Sequence, residues 1–451
     1  MTVIAQPLSQ ISGKVIRPED PGYDDARRVF RGEVDKHPAL IVQVAGPDDI
    51  RHVLELARET GAELAIRSGG HSAGAFSTTD GGIVLDVRQL KSLDFNDTDQ
   101  TVWAGAGLTA KEVTEAAWAR GLLIGFGDTG SVGIAGLTLG GGVGYAVRLL
   151  GLTIDNLLAV EVITADGELV TANATSHSDL FWALRGGGGN FGVVTRFKFQ
   201  LHAVEGFFGG LLVLPATVET ITGWMSAAES APETVSTIAN VMTAPLPFLP
   251  PEAQGKPVIL GIVAHFGNAA DGERAVAPFR GLATPLADML ADQPYPAIYG
   301  PEDDSYRPKA FDHTMFIDHV GPAEAQRMLD AINASDASLR AVQLRVLGGA
   351  MARVPSDATA FAHRTARIMT VVVNFFDGPD DLPRRMEWTS DLAAALDQGV
   401  NAAYVNFLRE EGEARLREAY PSPTFERLAE IKKRYDPQNL FHLNQNIPPA
   451  R

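Results

Sequence analysis

Apolar positions in the first two hundred residues fall into short runs that alternate with amphipathic segments. The segment 47–58 has apolar residues at positions 50, 53, 54 and 57 and precedes Gly61, so it predicts a helix. Thr109 and Glu112 have the spacing of a capping box and begin a second predicted helix, residues 109–120. A short helix is predicted at residues 179–184, and strands at residues 41–44, 64–66, 83–86, 101–104, 160–164 and 193–201. The chain therefore opens with a β-α-β pattern.

The pattern changes near residue 205, where the glycine clusters end and longer amphipathic stretches begin. The proline-rich residues 244–257 predict a loop. Strands are predicted at residues 211–214, 258–263, 342–346 and 369–374, and helices at residues 217–230, 322–334 and 382–396. The tail from residue 404 carries a further predicted helix with Phe425, Leu428 and Ile431 on one face. We therefore expect three segments, 1–204, 205–403 and 404–451, of which the middle one forms a separate α+β domain.

Length, charge and composition narrow the class of protein. A chain of 451 residues is long enough for two or three domains. The net charge of −17 argues against nucleic acid and against an anionic membrane surface as partners. The absence of cysteine excludes disulfides, thiolate metal sites, iron–sulfur clusters and cysteine nucleophiles. Because no signal-peptide pattern and no apolar run of about 20 residues occurs, we expect a soluble, cytoplasmic protein.

Two glycine clusters are the candidates for chemistry. The first, Arg67-Ser68-Gly69-Gly70-His71-Ser72, follows a predicted strand, and its glycines let backbone N–H groups approach a pyrophosphate. A turn with an ordinary surface or core histidine is the competing interpretation. The second cluster, residues 133–144, favours backbone packed on a large flat ligand over a mere crossing of buried backbones. Its glycines are Gly133, Gly136, Gly140, Gly141, Gly142 and Gly144.

Other motif-based sites are excluded by their sequence context. Residues 187–192 match Gly-x-Gly-x-x-Gly, but they follow a predicted helix and precede a predicted strand, the reverse of the dinucleotide fingerprint. A phosphate loop of the Gly-Lys-Ser type, a His-Glu-x-x-His pair and a Gly-x-Ser-x-Gly elbow are all missing. We therefore expect neither an ordinary Rossmann NAD site nor a metal site.

An ordered set of segments resembles one flavoprotein family. The set comprises residues 67–72, residues 133–144, Gly-Leu-Thr-Ile-Asp-Asn-Leu at 151–157, residues 179–195, Tyr-Asp-Pro-Gln-Asn-Leu-Phe at 435–441, and residues 444–446. These segments are similar to those of the berberine-bridge-enzyme-like branch of the vanillyl-alcohol oxidase and p-cresol methylhydroxylase superfamily. The resemblance implies an α+β fold: a p-cresol-methylhydroxylase-type (PCMH-type) FAD-binding domain of two α/β subdomains at 1–204, and a substrate domain at 205–403 whose antiparallel sheet is covered by helices. The segment 404–451 would return to the FAD domain.

The resemblance also implies how the cofactor is held. In the family, the histidine at the position of His71 is joined covalently to the 8α-methyl group of FAD. Many relatives add a bond from a cysteine, but Thr129 stands at that position, so attachment through His71 alone is expected. Val132 matches the position that gates oxygen, and valine there is typical of oxidases. The expected cofactor-binding residues are Arg67, Ser68, Gly69, Gly70, His71, Ser72, Thr129, Val132, Gly133, Gly136, Leu137, Gly140, Gly141, Gly142, Gly144, Asn156, Gly192, Val194, Asn444 and Asn446.

Candidate catalytic residues come from two segments that resemble parts of the family's active site. Tyr404 and Asn406 lie in a Tyr-x-Asn-Phe segment, in which Phe407 replaces the second tyrosine that acts as a base in some relatives. Tyr404 is equally compatible with a buried residue whose hydroxyl is satisfied. His363 either approaches the active site or is a histidine bonded to backbone, and the sequence leaves both readings open.

The resulting functional hypothesis is an FAD-linked oxidase of a small alcohol or amine, with secondary metabolites and alkaloids among the candidate substrates. A hydride would pass to flavin N5, and molecular oxygen would accept the electrons and form hydrogen peroxide. A carbohydrate oxidase and a flavin dehydrogenase are alternatives within the same class. A flavin-bearing binding protein without turnover is the alternative from another class. The sequence predicts neither the substrate nor the oligomeric state.

Overall fold

A computed structural model describes residues 8–243, 246–301, 303 and 305–451. Four strands form the first sheet in the order β1-β2-β4-β3: β1 (Lys14–Ile16), β2 (Leu40–Gln43), β3 (Leu64–Arg67) and β4 (Ile83–Asp86). Strands β2, β4 and β3 are parallel, and the helix Pro47–Thr60 connects β2 to β3. The left-handed backbone of Gly61, with φ of 65°, ends that helix. This confirms the predicted β-α-β opening.

The second sheet is antiparallel and has the order β5-β6-β10-β8-β9. Its strands are β5 (Leu93–Asn96), β6 (Thr101–Gly105), β8 (Leu157–Ile163), β9 (Leu169–Asn173) and β10 (Val193–Gln200). The short strands β7 (Leu122–Leu123) and β11 (His202–Ala203) pair separately. The helix Ala110–Trp118 begins with the predicted capping box of Thr109 and Glu112. Further helices of this half are Tyr23–Arg27, Ile134–Leu139, Val147–Leu150 and Ser178–Ala183.

An eight-stranded sheet follows, with the order β15-β12-β14-β13-β18-β19-β17 and β16 paired to β12. Its strands are β12 (Phe207–Pro215), β13 (Val235–Thr243), β14 (Val258–Phe266), β15 (Ala287–Asp288), β16 (Ala291–Asp292), β17 (Ala310–Ile317), β18 (Arg340–Val346) and β19 (Ile368–Phe375). All of the pairings are antiparallel. The helices Val218–Ser230, Ala269–Arg280, Pro322–Ala334 and Leu382–Leu396 contact this sheet, and a hydrophobic core joins them to it. The expectation of an antiparallel sheet with helices is confirmed.

The tail contains the helices Glu413–Ala419 and Ser422–Tyr435, and the short helix Ala350–Arg353 precedes it in the chain. Phe425, Leu428 and Ile431 are buried in the same core cluster as residues of the second sheet. The buried Lys432 ammonium donates to Asp436 Oδ2 at 2.7 Å and to the carbonyl oxygens of Asn190 and Phe441 at 2.7 and 2.8 Å. The tail is therefore fixed to the half of the molecule that precedes residue 204.

Several elements differ from the sequence-based expectation. Strands β13 and β17 and the helices Ile134–Leu139 and Ala269–Arg280 were not predicted. The predicted loop 244–257 contains a 3₁₀ turn at Pro251–Ala253, and its positions 244 and 245 lie outside the described residues. Helices Pro322–Ala334 and Leu382–Leu396 have the predicted bounds. Over the residues that the structure describes, no helix combines the length and apolarity of a membrane span.

Candidate active site

A cavity of about 710 Å³ lies where the two glycine clusters, the eight-stranded sheet and the tail meet. The segments around His71 and Gly133 form one side, and cavity-facing side chains of β13, β18 and β19 form another. The tail closes it with Phe441, Leu443, Asn444 and Gln445. Every major part of the fold therefore contributes to this cavity.

His71 lines the cavity in a fixed orientation. Its Nε2 lies 3.2 Å from Ser131 Oγ, and its ring stacks on Phe30 with centroids 4.2 Å apart and an angle of 21° between the planes. Burial, reinforced by the nearby Arg307 guanidinium, lowers the pKa of His71 to about 4. The imidazole is therefore uncharged at neutral pH, so a ring nitrogen keeps a free electron pair.

Gly69 and Gly133 bring two backbones into direct contact beside His71. A Cβ on Gly69 would lie 2.2 Å from the Gly133 nitrogen, and a Cβ on Gly133 would lie 2.3 Å from the Gly69 nitrogen. Ser68 secures the crossing, because its hydroxyl donates to the Ala106 carbonyl at 2.8 Å. No side chain fits at either position, and both glycines line the cavity.

Most of the predicted site residues line this one cavity. They are Ser68, Gly69, Gly70, His71, Ser72, Thr129, Val132, Gly133, Gly136, Leu137, Gly192, Val194, Tyr404, Asn406 and Asn444. Asn444 Nδ2 donates to the carbonyl oxygens of Gly189 and Phe441, whereas its Oδ1 is buried without a hydrogen-bond partner among the described residues. Residues that are far apart in the sequence thus converge on one cavity, and their contact with FAD stays a prediction.

Arg67 and four of the predicted glycines lie outside the cavity lining, and their contacts are with protein. The Arg67 guanidinium donates to the backbone carbonyls of Ala26 and Arg28. A Cβ on Gly144 would lie 1.3 Å from the Phe126 carbonyl oxygen, and one on Gly142 would lie 2.1 Å from Thr153 Oγ1. Gly140 packs against Asn406, and Gly141, with φ of 134°, packs against Phe361. Close packing of the chain on itself thus accounts for these glycines, and a ligand contact along the whole cluster stays a prediction.

Asn156, His363 and Asn446 also lie outside the lining. Asn156 Nδ2 donates to the carbonyls of Leu150 and Leu152. His363 Nε2 lies 3.1 Å from the Ala419 carbonyl oxygen, and this contact fits the second of the two readings, a histidine bonded to backbone. Asn446 Oδ1 is buried without a partner among the described residues. Asn156 Oδ1 also lies 2.6 Å from His202 Nε2, so the hydrogen bonds of the Asn156 and His363 side chains are with protein groups.

Tyr404 and Asn406 form one hydrogen-bonded unit at the cavity wall. The Tyr404 hydroxyl oxygen accepts from the N–H groups of Gly142 and Val143 at 2.9 and 3.3 Å and from Asn406 Nδ2 at 2.9 Å. Burial raises the pKa of Tyr404, so the phenol stays protonated at neutral pH. Tyr404 is a poor proton acceptor because its oxygen already accepts from three donors, two of which are backbone N–H groups at Gly142 and Val143.

Sequence reasoning missed a chain of polar side chains that crosses the cavity wall. Arg345 pairs with Asp128, and its Nε donates to Gln343 Oε1 at 2.9 Å. Gln343 Nε2 in turn donates to Asn240 Oδ1 at 2.9 Å, and all four residues line the cavity. We call Asp128, Arg345, Gln343 and Asn240 the polar ladder. Glutamine and arginine at alternate positions of an otherwise apolar strand, residues 342–346, were the signal that could have revealed it.

Among the described residues, two carboxylates line the cavity, Asp128 and Asp312, and they differ in how firmly they are held. Asp312 accepts from both Arg31 and Arg409, and its side chain is 9% exposed. Asp128 has one guanidinium partner, Arg345, and its side chain is 24% exposed. The same guanidinium lies 5.5 Å from the centre of the Phe407 ring. Asp128 is therefore the more accessible carboxylate, and it lies across Arg345 from the Phe407 ring.

The lining fits a flavin cofactor. The glycine crossing exposes backbone at the wall, and Ser77 Oγ and Asn444 Oδ1 are buried there without partners among the described residues, as expected for groups that meet the polar atoms of a ligand. His71 supplies an uncharged nucleophilic nitrogen at the same wall. FAD combines a flat ring with hydroxyl, amide and phosphate groups, so this mixed donor and acceptor set suits it.

Comparisons with known proteins agree with this geometry. Residues 38–173 match the FAD binding domain family, and residues 403–448 match the family described as berberine and berberine like. (R)-6-hydroxynicotine oxidase of Paenarthrobacter nicotinovorans is 30% identical over 461 residues, covering 99% of this chain and 98% of that protein.

Two solved structures share the fold. The 6-hydroxy-D-nicotine oxidase of Arthrobacter nicotinovorans superposes with a TM-score of 0.88 at 27% identity, covering 99% of this chain and 100% of the other. Glucooligosaccharide oxidase from Acremonium strictum, with a 6-S-cysteinyl, 8α-N1-histidyl FAD, has a TM-score of 0.84 at 22% identity, with 99% of each chain covered. The chain thus belongs to the berberine-bridge-enzyme-like FAD-linked oxidases of the vanillyl-alcohol oxidase and p-cresol methylhydroxylase superfamily, and it is an FAD-linked oxidoreductase.

Proposed function

We propose that this enzyme is an oxidase of a small alcohol, that His71 holds its FAD as the single covalent bond, and that molecular oxygen is the electron acceptor. The observation that carries the proposal is an uncharged His71 imidazole at the wall of the cavity, stacked on Phe30 and facing the glycine crossing. The chain has no cysteine, so a second thioether bond has no donor, and Thr129 occupies that place in the lining.

When bound, FAD supplies the acceptor for a hydride, and the protein must supply the acceptor for the hydroxyl proton of an alcohol. We assign that role to Asp128. Its carboxylate lies in the cavity, Arg345 and the Thr129 hydroxyl orient it, and it replaces the phenol that Phe407 lacks. The proton would move from the substrate hydroxyl to an oxygen of Asp128.

The charges of the lining favour an alcohol over a protonated amine. Among the described residues, both lining carboxylates already pair with arginines: Asp128 with Arg345, and Asp312 with Arg31 and Arg409. A cationic amine would find no uncommitted counter-charge there, and burying an unpaired charge is costly. A hydroxyl-bearing substrate only needs hydrogen bonds, which the polar ladder offers.

A carbohydrate oxidase is the second candidate, because the polar ladder presents the Asn240 and Gln343 amides to the cavity. Amide groups can hydrogen-bond the adjacent hydroxyls of a sugar. Beside them, on the neighbouring strand β19, lie the apolar side chains of Val371, Val373 and Phe375, and Phe407 also lines the cavity. These apolar groups suit a less polar alcohol. The relatives include oxidases named for nicotine derivatives and for oligosaccharides, so both classes belong in the test.

Anaerobic reduction of the bound flavin tests the function. Purified protein is mixed without oxygen with benzylic and aliphatic alcohols, mono- and oligosaccharides, and secondary amines, and the loss of the yellow absorbance is followed. We expect bleaching by an alcohol, and hydrogen peroxide once air is admitted. A spectrum that shifts without bleaching for every compound would indicate a binding protein and overturn the proposal.

Acid precipitation tests the covalent bond. The wild-type pellet should stay yellow, whereas His71→Ala should release its flavin into the supernatant. Release of flavin from the wild type would refute the attachment, whatever the outcome of the bleaching experiment.

Oxygen as acceptor rests on Val132, which lines the cavity. The larger side chain of Val132→Ile should slow reoxidation of the reduced enzyme by air without slowing its anaerobic reduction. Unchanged reoxidation would remove Val132 from this role. Reduction without peroxide formation in the wild type would indicate a dehydrogenase.

A further inference from the structure

The two ring nitrogens of His71 have different surroundings. Nε2 lies 3.2 Å from Ser131 Oγ, and the stacked Phe30 ring fixes the plane of the imidazole. The Ser131 backbone also forms a hydrogen bond with the imidazole, and none of the described residues forms a side-chain hydrogen bond with Nδ1. Ser131 belongs to the same loop as Val132 and Gly133, and its carbonyl lies close to the glycine crossing. Ser131 therefore meets the ring with both its hydroxyl and its backbone, and the hydroxyl lies at Nε2.

We propose that Ser131 is a positioning residue for the attachment of the flavin: its Oγ accepts the Nε2–H of His71 and so keeps the reactive electron pair on Nδ1. A neutral imidazole carries its single proton on one of the two nitrogens, and the hydrogen bond at one of them decides which. This inference rests on the covalent attachment in the proposed function and adds the residue that directs it.

The atoms and electrons of the attachment balance as follows. The Nδ1 electron pair forms a bond to the 8α carbon, one C–H bond of that methyl group breaks, and its proton leaves to solvent. The electron pair of the broken bond stays in the ring system, which is thereby reduced by two electrons. The Nε2 proton is then lost, which leaves a neutral alkylated imidazole. Dioxygen takes up the two electrons and two protons as hydrogen peroxide.

Ser131 has a second effect on this step. Between bond formation and loss of the Nε2 proton, His71 carries a positive charge in a site whose burial disfavours the charged imidazole. A hydroxyl oxygen that accepts from Nε2–H stabilises that charge where it develops, and hydrogen bonds to charged groups are stronger than neutral ones. Loss of the hydroxyl should therefore slow attachment even where FAD still binds.

The test uses full-length apoprotein from a riboflavin-starved host, mixed with FAD and sampled over time for flavin that stays with the acid-precipitated protein. Ser131→Ala should slow attachment by about tenfold to a hundredfold, the range for one hydrogen bond to a charged group. Ser131→Thr keeps the hydroxyl and should restore the rate. Ser176→Ala, an exposed serine on a distant loop, is the matched control and should attach FAD like the wild type.

Two further readouts separate this role from a structural one. Reversible FAD binding, measured by fluorescence quenching at early times, should change less than twofold in Ser131→Ala. Nitrogen NMR of histidine-labelled apoprotein should show the neutral His71 ring with its proton on Nε2 in the wild type. In the variant, the same spectrum should show a mixture of the Nε2–H and Nδ1–H tautomers. Attachment at the wild-type rate in Ser131→Ala, or a proton on Nδ1 in the wild type, would overturn the inference. A wild type that never attaches flavin would overturn the proposed covalent bond itself.

Discussion

The two halves of this molecule build their sides of one cavity in opposite ways. On the cofactor side, backbone meets backbone, and Gly69 and Gly133 leave no space for a Cβ. On the side of the eight-stranded sheet, the wall consists of side chains, with Gln343 and Arg345 at alternate positions of one strand. Backbone contact admits a single residue type, whereas a side-chain wall admits many. The cofactor side is therefore fixed in sequence, and the sheet side is where substrate preference can change.

The largest effect is expected at Asp128, a residue of the cofactor half that pairs with Arg345 of the side-chain wall. Asp128→Asn keeps the size and the hydrogen bond to Arg345 but removes the proton acceptor, so anaerobic flavin reduction by an alcohol should slow by about 10²–10⁴-fold. Stopped-flow absorbance measures this rate. Flavin content after acid precipitation and reduction by dithionite should match the wild type. Equal rates of alcohol oxidation in the two proteins would show that another group takes the proton.

Lys432 of the tail is a buried side chain that holds backbone of the cofactor half, and its removal sharpens the comparison. Lys432→Met leaves the fully buried Asp436 without its partner, and removing one member of such a pair costs about 3–5 kcal/mol. Urea unfolding should show this loss. The exposed neighbour Lys433→Met is the matched control and should change the free energy of unfolding by less than about 0.5 kcal/mol. A stable Lys432→Met protein would mean that the tail is held by its apolar face alone.

His71 makes the stability of the apoprotein depend on pH. Its pKa falls from 6.5 to about 4 on folding, so between these values the unfolded chain binds more protons than the folded one. Stability should therefore decline as the pH falls from 6.5 towards 4, by at most about 3 kcal/mol. His71→Gln should flatten this part of the curve in thermal unfolding. An identical pH dependence in both proteins would contradict a buried neutral His71.

Backbone contact itself is tested by two glycines on the same wall. Gly133→Ala places a methyl group against Ser68 Oγ and the Gly69 nitrogen, so the free energy of unfolding should fall by about 1–3 kcal/mol. Gly136 also lines the cavity, but a Cβ there meets no protein atom within 4 Å, so Gly136→Ala should not destabilise the apoprotein. Denaturant titration of the two apoproteins compares them. If Gly133→Ala lowered the free energy of unfolding as little as Gly136→Ala does, the crossing would tolerate a side chain.

The contrast between local backbone pattern and side chains that meet across the fold also explains how much of this structure the sequence predicted. The glycine clusters and the helices Pro322–Ala334 and Leu382–Leu396 follow from local pattern, because conformational freedom and amphipathic period are local properties. Strands β13 and β17 were missed because Asn240 and Asp312, which face the cavity, interrupt their apolar runs. In these two strands, polar residues that face the cavity concealed the strand, whereas β18 was predicted although it carries Gln343 and Arg345.

The sequence could predict neither the polar ladder nor the role of the glycines outside the lining, because both depend on contacts between residues that are far apart in the chain. Asp128 and Arg345 are more than two hundred positions apart, so their pairing is visible only in three dimensions. Gly140, Gly142 and Gly144 have the same residue type as Gly133 and Gly136, yet they pack on Asn406, Thr153 and Phe126 rather than at the cavity. Residue type alone could not separate the two groups of glycines.

The tail fixed by Lys432 also orders events during synthesis of the chain. Phe441, Asn444 and Gln445 close the cavity, and Lys432 fastens them to the carbonyl of Asn190. Both glycine clusters are therefore synthesised long before the tail residues that close the cavity. The cofactor can therefore be enclosed only after residue 445 has left the exit tunnel, when synthesis of the chain is nearly complete.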